Sequence, residues 1–301
     1  MSGARQDVDA KKKGDQIEGY RVLAELGRGA ASIIYLVQEV RTKQVWALKH
    51  VKKESVKDQR FLDQAEQEFE IARRLDHPTL RKIPRLIKRK RRMISTRELY
   101  LVMELVDGIS LDKTPPATFE QAIGVFHQVA QGLAHMHERG YVHADMKPNN
   151  VIVSDAGQAK VIDLGQSCKI GTVKKRIQGT PDYIAPEQVH RRRITPRTDV
   201  YNLGASMYWV VTRSHVPTAL PKDDSLLGSL EDHLIPLPTR AIELNPRIPE
   251  RLDELIMHCV QVNPEDRPPD MLAVADRLNL IHGILLAELE KRGGRTATPA
   301  T

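Results

Sequence analysis

The residue types best suited to chemistry lie together in residues 141–165, YVHADMKPNNVIVSDAGQAKVIDLG. His143, Asp145, Lys147 and Asn150 follow the spacing H-x-D-x-K-x-x-N, and Asp163 comes thirteen residues after Asn150. In phosphoryl transfer one acid orients a hydroxyl, a lysine neutralises phosphate charge, and an amide and a second acid hold metal ions. A loop, a hairpin and a second loop with incidental charges would explain Asp145 alone. The spaced set favours phosphoryl transfer.

A β-prone segment with two glycines lies nearer the N-terminus. Residues 20–27, 33–40 and 45–50 are rich in β-branched and aromatic side chains, which predicts three strands. The turn between the first two strands is G-x-G-x-x-S, residues 27–32. Glycines there would let backbone N–H groups approach phosphate oxygens, which a Cβ atom would obstruct. A plain hairpin turn explains the two glycines at least as well.

Apolar residues at helical spacing predict helices at residues 57–75, 119–139 and 271–291. The first of these helices ends at the Asp-His-Pro sequence that begins at residue 76. Its acids Glu66, Glu68 and Glu70 are candidate partners for Lys49, which ends the third strand. A solvated helix face is the competing interpretation for these acids.

Residues 79–97 concentrate positive charge. They contain nine Lys or Arg and no acid, including the run Lys88–Arg92. We expect a hairpin whose cationic tip is either simply solvated or a docking surface for an acidic partner. No aromatic residue is interleaved with these cations, which argues against nucleic acid as the partner.

The composition is that of a globular protein. The 301 residues are 41% hydrophobic and 28% charged, with a formal net charge of +7. A chain of this length can bury a large core, in one domain or in two lobes. Cys168 and Cys259 are the two cysteines and have no metal-ligand spacing, which fits a reducing compartment. No apolar run of about 18 residues and no signal-peptide core occurs, so we expect a soluble, cytoplasmic protein.

These motifs, in this order, resemble the serine/threonine protein kinases of the eukaryotic-like (Hanks) type, including their bacterial members. The resemblance runs from about Tyr20 to about Leu286. It rests on G-x-G-x-x-S, on V-W-A-L-K ending at Lys49, on H-A-D and D-L-G, on G-T-P and A-P-E, and on N-P-E-D-R-P. H-A-D stands where the family usually has H-R-D, and D-L-G where it has D-F-G. The lysine two residues after Asp145 favours Ser/Thr over Tyr specificity.

The resemblance implies an α+β, bilobal protein-kinase-like fold. The small lobe would have a five-stranded antiparallel sheet and one helix, and the large lobe would be mostly helical. The limits we expect are a disordered arm at 1–16, a kinase domain at 17–287 and a flexible tail at 288–301. Within the domain the small lobe would take about 17–105 and the large lobe about 106–287.

The resemblance also implies ATP as phosphoryl donor and Mg²⁺, or alternatively Mn²⁺, as the metal. Asp145 would orient the acceptor hydroxyl and take its proton, and Lys147 would stabilise the transferring phosphoryl group. Lys49 and Thr180 complete the implied catalytic set. The implied metal ligands are Asn150 and Asp163. The implied ATP-binding residues are Leu26, Gly27, Gly29, Ser32, Ile34, Ala47, Lys49, Glu68, Met103, Glu104, Leu105, Val106, Asn150, Ile152 and Asp163.

Three more residues have structural roles by resemblance. Asp199 would accept hydrogen bonds from the backbone of the catalytic loop, and Arg267 would pair with Glu187. An N-cap for Asp199 and a polar turn for Arg267 are the simpler alternatives. We choose Glu68 as the partner of Lys49, because in the family this acid lies about ten residues before the His-Pro pair.

Two other functional classes remain open. A pseudokinase would bind partners without catalysing transfer, although such chains commonly lose the lysine or one of the two aspartates that are present here. A small-molecule phosphotransferase would lack the A-P-E and Arg267 platform for protein substrates. Ala144 replaces the arginine that grips a phosphorylated activation segment in the family. We therefore expect activity that does not require phosphorylation of that segment.

Overall fold

A strand-rich unit and a helix-rich unit divide the chain in the computed structural model, which describes residues 10–29, 31–91, 95–220 and 232–294. The strand-rich unit contains the chain up to Asp76 and residues 81–106. The helix-rich unit contains residues 77–80 and the chain from Asp107 onward. The boundary after Val106 lies one residue from the expected lobe boundary, and the insertion of residues 77–80 into the second unit was not predicted.

The strand-rich unit is built on one antiparallel sheet in the order β1-β2-β3-β4-β6-β5. Five of its strands match the expectation, and a two-residue strand, β1, is an addition. The sheet and its helix comprise β1 (Gln16–Ile17), β2 (Tyr20–Arg28), β3 (Ser32–Glu39), β4 (Val45–Lys52), α1 (Gln59–Ala72), β5 (Arg85–Arg91) and β6 (Ser95–Met103). A 3₁₀ turn at Val56–Asp58 precedes α1, so this α-helix is shorter than the predicted 57–75.

An apolar cluster on the sheet explains why the N-terminal arm is ordered further than predicted. The cluster contains Ile17 of β1 together with tyrosines and aliphatic residues of β2, β3, β4 and β6. The backbone N–H of Lys11 donates to the Tyr35 hydroxyl at 3.0 Å, and that of Gly14 donates to the Val22 carbonyl at 2.9 Å. The expected disorder of residues 1–16 is therefore wrong for residues 11–16. Residues 1–9 lie outside the described part of the chain.

The helix-rich unit packs α2 against α7 and α4 against α6. Its helices are α2 (Phe119–Glu138), α3 (Pro186–Val189), α4 (Pro196–Thr212), α5 (Ala241–Leu244), α6 (Glu250–Cys259) and α7 (Met271–Gly294). Its short strands are β7 (Ile109–Ser110), β8 (Tyr141–Val142), β9 (Val151–Val153), β10 (Ala159–Val161) and β11 (Cys168–Lys169). Because α7 continues to Gly294, the expected tail from 288 is wrong for its first seven residues. The remainder, 295–301, lies outside the described residues.

Further 3₁₀ turns occur at Pro148–Asn150, Asp232–Leu234 and Pro264–Asp266. Among the described residues, no helix has the length and hydropathy that a bilayer crossing requires. Both cysteines are buried and neither forms a disulfide.

Candidate active site

The strand-rich unit holds a buried ion pair between β4 and α1. Lys49 Nζ lies 2.7 Å from Glu68 Oε2, and the Glu68 side chain is fully buried. The other two candidate acids of this helix are engaged elsewhere: Glu66 pairs with Lys88 at 2.8 Å and Glu70 with Arg73 at 3.3 Å. A buried carboxylate needs a cationic partner, so the geometry selects Glu68 as the sequence reasoning did.

The glycine-bearing turn joins β2 to β3. The backbone N–H of Gly29 donates to the Ser32 carbonyl at 2.8 Å, and a Cβ on Gly29 would come within 2.9 Å of Ser32 Oγ. A register shift between Glu25 and Gly27 leaves Leu26 in a bulge, where it is exposed. Ala30, inside the turn, lies outside the described residues. The Ser32 hydroxyl can rotate away from such a Cβ, so the turn itself does not require glycine at position 29.

The residues expected around an adenine ring lie on β3, β4 and β6. Ala47 and Met103 are direct partners in the β4–β6 register, and both are buried. Ile34, the partner of Gly27, is half-buried. After β6 the Glu104 N–H donates to the Lys82 carbonyl at 2.8 Å, whereas Val106 forms no backbone hydrogen bond within the described ranges. Leu105 between them is exposed. Val106 is therefore the residue of this stretch whose backbone we expect to hydrogen-bond an adenine ring.

In the helix-rich unit, the catalytic loop begins at the end of β8 and is fixed by a buried carboxylate. Asp199 of α4 accepts the N–H of His143 and the N–H of Ala144, both at 2.8 Å, and lies 2.8 Å from His137 Nε2. Burial by itself would raise the pKa of Asp199. The hydrogen bond and charge of His137, the charge of His143 and the Ala144 N–H outweigh burial and lower that pKa. Asp199 thus has the architectural role that the resemblance implied.

A second buried side chain, Gln188 of α3, holds the same loop from its other side. Its Nε2 donates to the Ala144 carbonyl at 2.8 Å and to the Gln178 carbonyl at 3.3 Å. Its Oε1 accepts from Asn202 at 2.9 Å. Ala144 has φ +60°, a left-handed conformation that is costly for a residue with a Cβ. Hydrogen bonds at both its N–H and its carbonyl hold it there, as strained backbone at a functional site requires.

The three side chains expected to handle the acceptor hydroxyl form a closed triangle. Lys147 Nζ donates to Asp145 Oδ2 at 3.0 Å and to Thr180 Oγ1 at 2.6 Å, and Thr180 Oγ1 donates to Asp145 Oδ1 at 2.9 Å. Thr180 reaches this position because Gly179 has φ +139°, where any Cβ would also press on Ile184 at 3.0 Å. An acid, a cation and a hydroxyl separated by 35 residues in sequence therefore meet at one point.

The β9–β10 hairpin brings the two implied metal ligands together. Val151 is paired with Val161. Asn150 therefore lies one residue before the paired stretch and Asp163 two residues after it. The Ile162 N–H donates to the Asn150 carbonyl at 3.0 Å. Asn150 Nδ2 donates to the Asp145 carbonyl at 2.9 Å, and Asp163 Oδ1 accepts the Gly165 N–H at 2.9 Å. Ile152 lies on the same hairpin and is half-buried.

This donor set fits a hard divalent cation held largely by a nucleotide. Because the side-chain nitrogen of Asn150 donates to the Asp145 carbonyl, its side-chain oxygen is the atom left to bind a metal ion. No group of three or more His, Cys, Asp or Glu suited to a metal occurs in the described part of the chain. Mg²⁺ keeps several waters and is commonly bound by one or two protein oxygens together with substrate phosphates. An amide oxygen and one carboxylate meet that requirement.

The end of the activation segment, which spans residues 166–187, is locked by a second buried ion pair. Arg267 donates to both oxygens of Glu187, at 2.8 and 3.0 Å, and both side chains are buried. Its remaining N–H groups reach the carbonyls of Gln261, Val262 and Arg197. Since the guanidinium has partners on every side, the pair satisfies the conditions under which a buried charge pair is tolerated.

Sequence reasoning missed three residues of this site. Gln188 and His137 act through contacts 44 and 62 residues away, which no local pattern shows. The third is Lys174, which donates to the Gln166 carbonyl at 2.7 Å. Burial lowers the pKa of Lys174, while the nearby Cys168, Asp145 and Asp199 act in the opposite direction. Lys174 thus links the middle of the activation segment to Gln166 at its start.

Comparisons with known proteins identify the family of this chain. The protein kinase domain family matches residues 20–277, so the chain belongs to that family. Serine/threonine-protein kinase PknL of Mycobacterium tuberculosis is 31% identical over 270 residues, which cover 87% of this chain and 65% of PknL. Serine/threonine-protein kinase PrkC of Bacillus subtilis is 27% identical over 285 residues, covering 88% of this chain and 42% of PrkC.

A solved structure supports the fold separately. The Mycobacterium tuberculosis PknI kinase domain superposes with a TM-score of 0.67 at 24% identity, covering 90% of this chain and 99% of that one. This similarity shows a protein-kinase-like fold. The chain spans less than two thirds of the length of the curated relatives described above.

Proposed function

We propose that this chain is an ATP-dependent serine/threonine protein kinase that transfers the γ-phosphoryl group of ATP to protein hydroxyls. The observation that carries this proposal is the triangle of Asp145, Lys147 and Thr180. In this triangle a carboxylate and an ammonium both hydrogen-bond one hydroxyl group, that of Thr180. An acceptor Ser or Thr would require the same environment. The kinase family of the chain and the Ser/Thr kinase names of its relatives support it.

Each residue has a definite task in this mechanism. ATP with Mg²⁺ would supply the transferable phosphoryl group. Lys49, held by Glu68, would neutralise the α/β-phosphates, and Asn150 and Asp163 would hold the metal. Asp145 Oδ1 would orient the acceptor hydroxyl and take its proton, while Lys147 would stabilise charge on the transferring group. Little covalent chemistry falls to the protein, so positioning and electrostatics carry catalysis.

The test is Mg²⁺-dependent transfer from γ-labelled ATP to a Ser-containing protein, compared between the wild-type chain and Asp145→Asn. Asp145→Asn should lower kcat by at least the roughly 10²–10⁴-fold typical of losing a general base. ATP binding should survive, because Asp145 faces the acceptor. Transfer by neither protein, with ATP binding intact, would instead indicate a pseudokinase. Near-wild-type turnover by Asp145→Asn would show that the catalytic loop is assigned wrongly.

The expected acidic partner of the basic hairpin is less well supported. Lys88 is paired with Glu66 at 2.8 Å, and Arg89 lies 3.4 Å from Glu18 and 3.9 Å from Glu98. Arg92 and the side chains of Lys90 and Arg91 lie outside the described residues. Since part of the charge is neutralised within the unit, the docking role of Lys88–Arg92 stays a prediction. Serine at these positions should weaken phosphorylation of a protein substrate at low salt if the prediction holds.

The cytoplasmic location also stays a prediction. It is supported by the two buried cysteines, which are not paired with each other and would suit a reducing compartment.

A further inference from the structure

A group of cations without acidic partners surrounds the middle of the activation segment. Residues 166–193 contain seven Lys or Arg and two acids, and one of those acids, Glu187, is committed to Arg267. Among the seven, Lys174 is tied to Gln166 and Arg192 to Asp232. The other five form no ion pair within the described residues and are exposed; we call them the segment cations: Lys169, Lys175, Arg176, Arg191 and Arg193.

Backbone pairing brings the segment cations together although they come from two stretches of chain. Gly171 donates to the Ile194 carbonyl at 2.8 Å, and Ile194 donates to the Thr172 carbonyl at 2.9 Å. Val173 and Arg193 form an antiparallel bridge. Consecutive Cα atoms are about 3.8 Å apart, so every segment cation has its Cα within about 15 Å of this bridge. Both stretches are thus held as one surface.

Exposed apolar side chains are interleaved with these cations. Ile170, Val173 and Ile177 are 42%, 56% and 46% exposed. The surface would therefore offer contacts for carboxylates and for aliphatic side chains of the same partner. A purely solvated charged face would not require three exposed aliphatic residues within eight.

This surface lies beside the acceptor site. Arg176 precedes Thr180 by four residues, a reach of at most about 14 Å along the chain. Thr180 Oγ1 in turn lies 2.9 Å from Asp145 Oδ1. An acidic side chain three or four residues from a phosphorylated serine, in an extended peptide, would fall in the same range.

We propose that the segment cations recognise acidic residues that flank the phosphorylated Ser or Thr of the protein substrate. This inference rests on the proposed kinase function. Charge complementarity is the argument for the occupant. The five unpaired cations share the segment with one free acid, Asp182, so most of their charge is not neutralised within the segment. The surface thereby sets the substrate class: acidic segments that also carry aliphatic residues.

The test uses two peptides that differ only in charge: a serine flanked by Asp and Glu, and the same peptide with Asn and Gln. The variant combines Lys175→Gln, Arg176→Gln and Arg193→Gln. Exposed ion pairs are weak individually, so losing three should raise KM for the acidic peptide by roughly three- to thirty-fold, with kcat little changed. The neutral peptide should show no such rise. Raising the salt concentration should reduce the wild-type preference in the same direction.

The matched control removes three other exposed cations, through Arg21→Gln, Arg41→Gln and Arg251→Gln. It has the same net charge as the test variant and should keep the wild-type preference. Thermal unfolding of all three proteins should give similar midpoints, because the changed side chains are exposed.

A second readout is independent of transfer: binding of a fluorescent acidic peptide, measured by anisotropy. Weaker binding by the test variant but not by the control supports the inference even if no peptide is phosphorylated, a result that would contradict the kinase function alone. Equal binding by all three proteins, or an equal loss in the control, would overturn the inference. Competition by an RNA oligonucleotide or by anionic vesicles as strong as by the acidic peptide would also overturn it.

Discussion

Lys174→Met should impair transfer strongly, whereas Thr172→Ala should not. Lys174 Nζ donates to the Gln166 carbonyl at 2.7 Å, next to the turn that carries Asp163. Thr172 Oγ1 makes only a local contact, to the Lys169 carbonyl at 2.6 Å. Ser167, another hydroxyl of the activation segment, is buried, so a phosphate there would require the segment to open. The segment is therefore held by a lysine of its own.

The expected magnitudes follow from these contacts. A hydrogen bond from a charged group contributes about 1.5–3 kcal/mol, and a neutral one about 0.5–1.5 kcal/mol. Each 1.36 kcal/mol corresponds to about a factor of ten in rate. If the ordered segment is required for transfer, Lys174→Met should lower kcat by about 10- to 150-fold. Thr172→Ala should cost less than about tenfold, and methionine should keep the packing of the lysine stem.

The assay is steady-state transfer to a neutral Ser peptide, after phosphatase treatment of every protein. Lys175→Met, an adjacent exposed lysine, is the matched control and should retain wild-type kcat on this peptide. Limited proteolysis should cleave residues 166–180 faster in Lys174→Met than in either other variant. Full activity of Lys174→Met, or a loss above about tenfold in Thr172→Ala, would refute the reasoning. Thr180 must stay intact, since its loss would be catalytic.

Two further predictions test the buried carboxylates. Lys49→Met should abolish transfer and leave the protein folded but with a lowered thermal midpoint, because the buried Glu68 carboxylate loses its cationic partner. Glu68→Gln should impair transfer, whereas Glu66→Gln and Glu70→Gln should retain it; an equal loss in either would assign the partner of Lys49 to that residue instead. Asp199→Asn should destabilise the protein by about 2–4 kcal/mol at pH 7, measured by urea unfolding, because a buried carboxylate that accepts two backbone N–H groups is replaced by a neutral amide. Since the folded pKa of Asp199 is lowered, its contribution is present above about pH 4 and is lost as pH falls through the folded pKa, so the difference between variant and wild type should shrink below about pH 4. A difference that stayed constant from pH 7 to pH 3 would contradict this assignment.

Periodicity and turn residues predicted most elements of the fold, because those signals are local. The three strands at residues 20–50 and the helix at 119–139 match β2, β3, β4 and α2 to within about two residues. The β1 strand was not predicted, because two residues carry no periodic signal. It forms since Ile17 completes an apolar cluster whose other members come from four strands. The extension of α7 to Gly294 was likewise missed, at the least certain part of any helix, its end.

The residues of the site likewise divide into those with a signal in the sequence and those without one. The Glu187–Arg267 pair spans 80 residues and was predicted only because the motifs resemble a family in which the two residues pair. Glu68 was preferred over its neighbours by spacing, and the structure gives the physical reason, since Glu66 and Glu70 have cations of their own. Gln188 and Lys174 had neither a motif nor a period. Their tasks depend on which carbonyls lie within reach after folding.

The contacts of Ala144 fix the backbone of the catalytic loop at the position where the family usually has an arginine. Its left-handed backbone is held by the carboxylate of Asp199 at the N–H and by the amide of Gln188 at the carbonyl. Its methyl group packs with Cys168, the residue whose thiol also lies close enough to Lys174 to influence the pKa of that lysine. Ala144 and the half-buried Lys174 are thus both neighbours of Cys168. We therefore expect the contacts of Ala144 and Lys174 to order the segment without a phosphate.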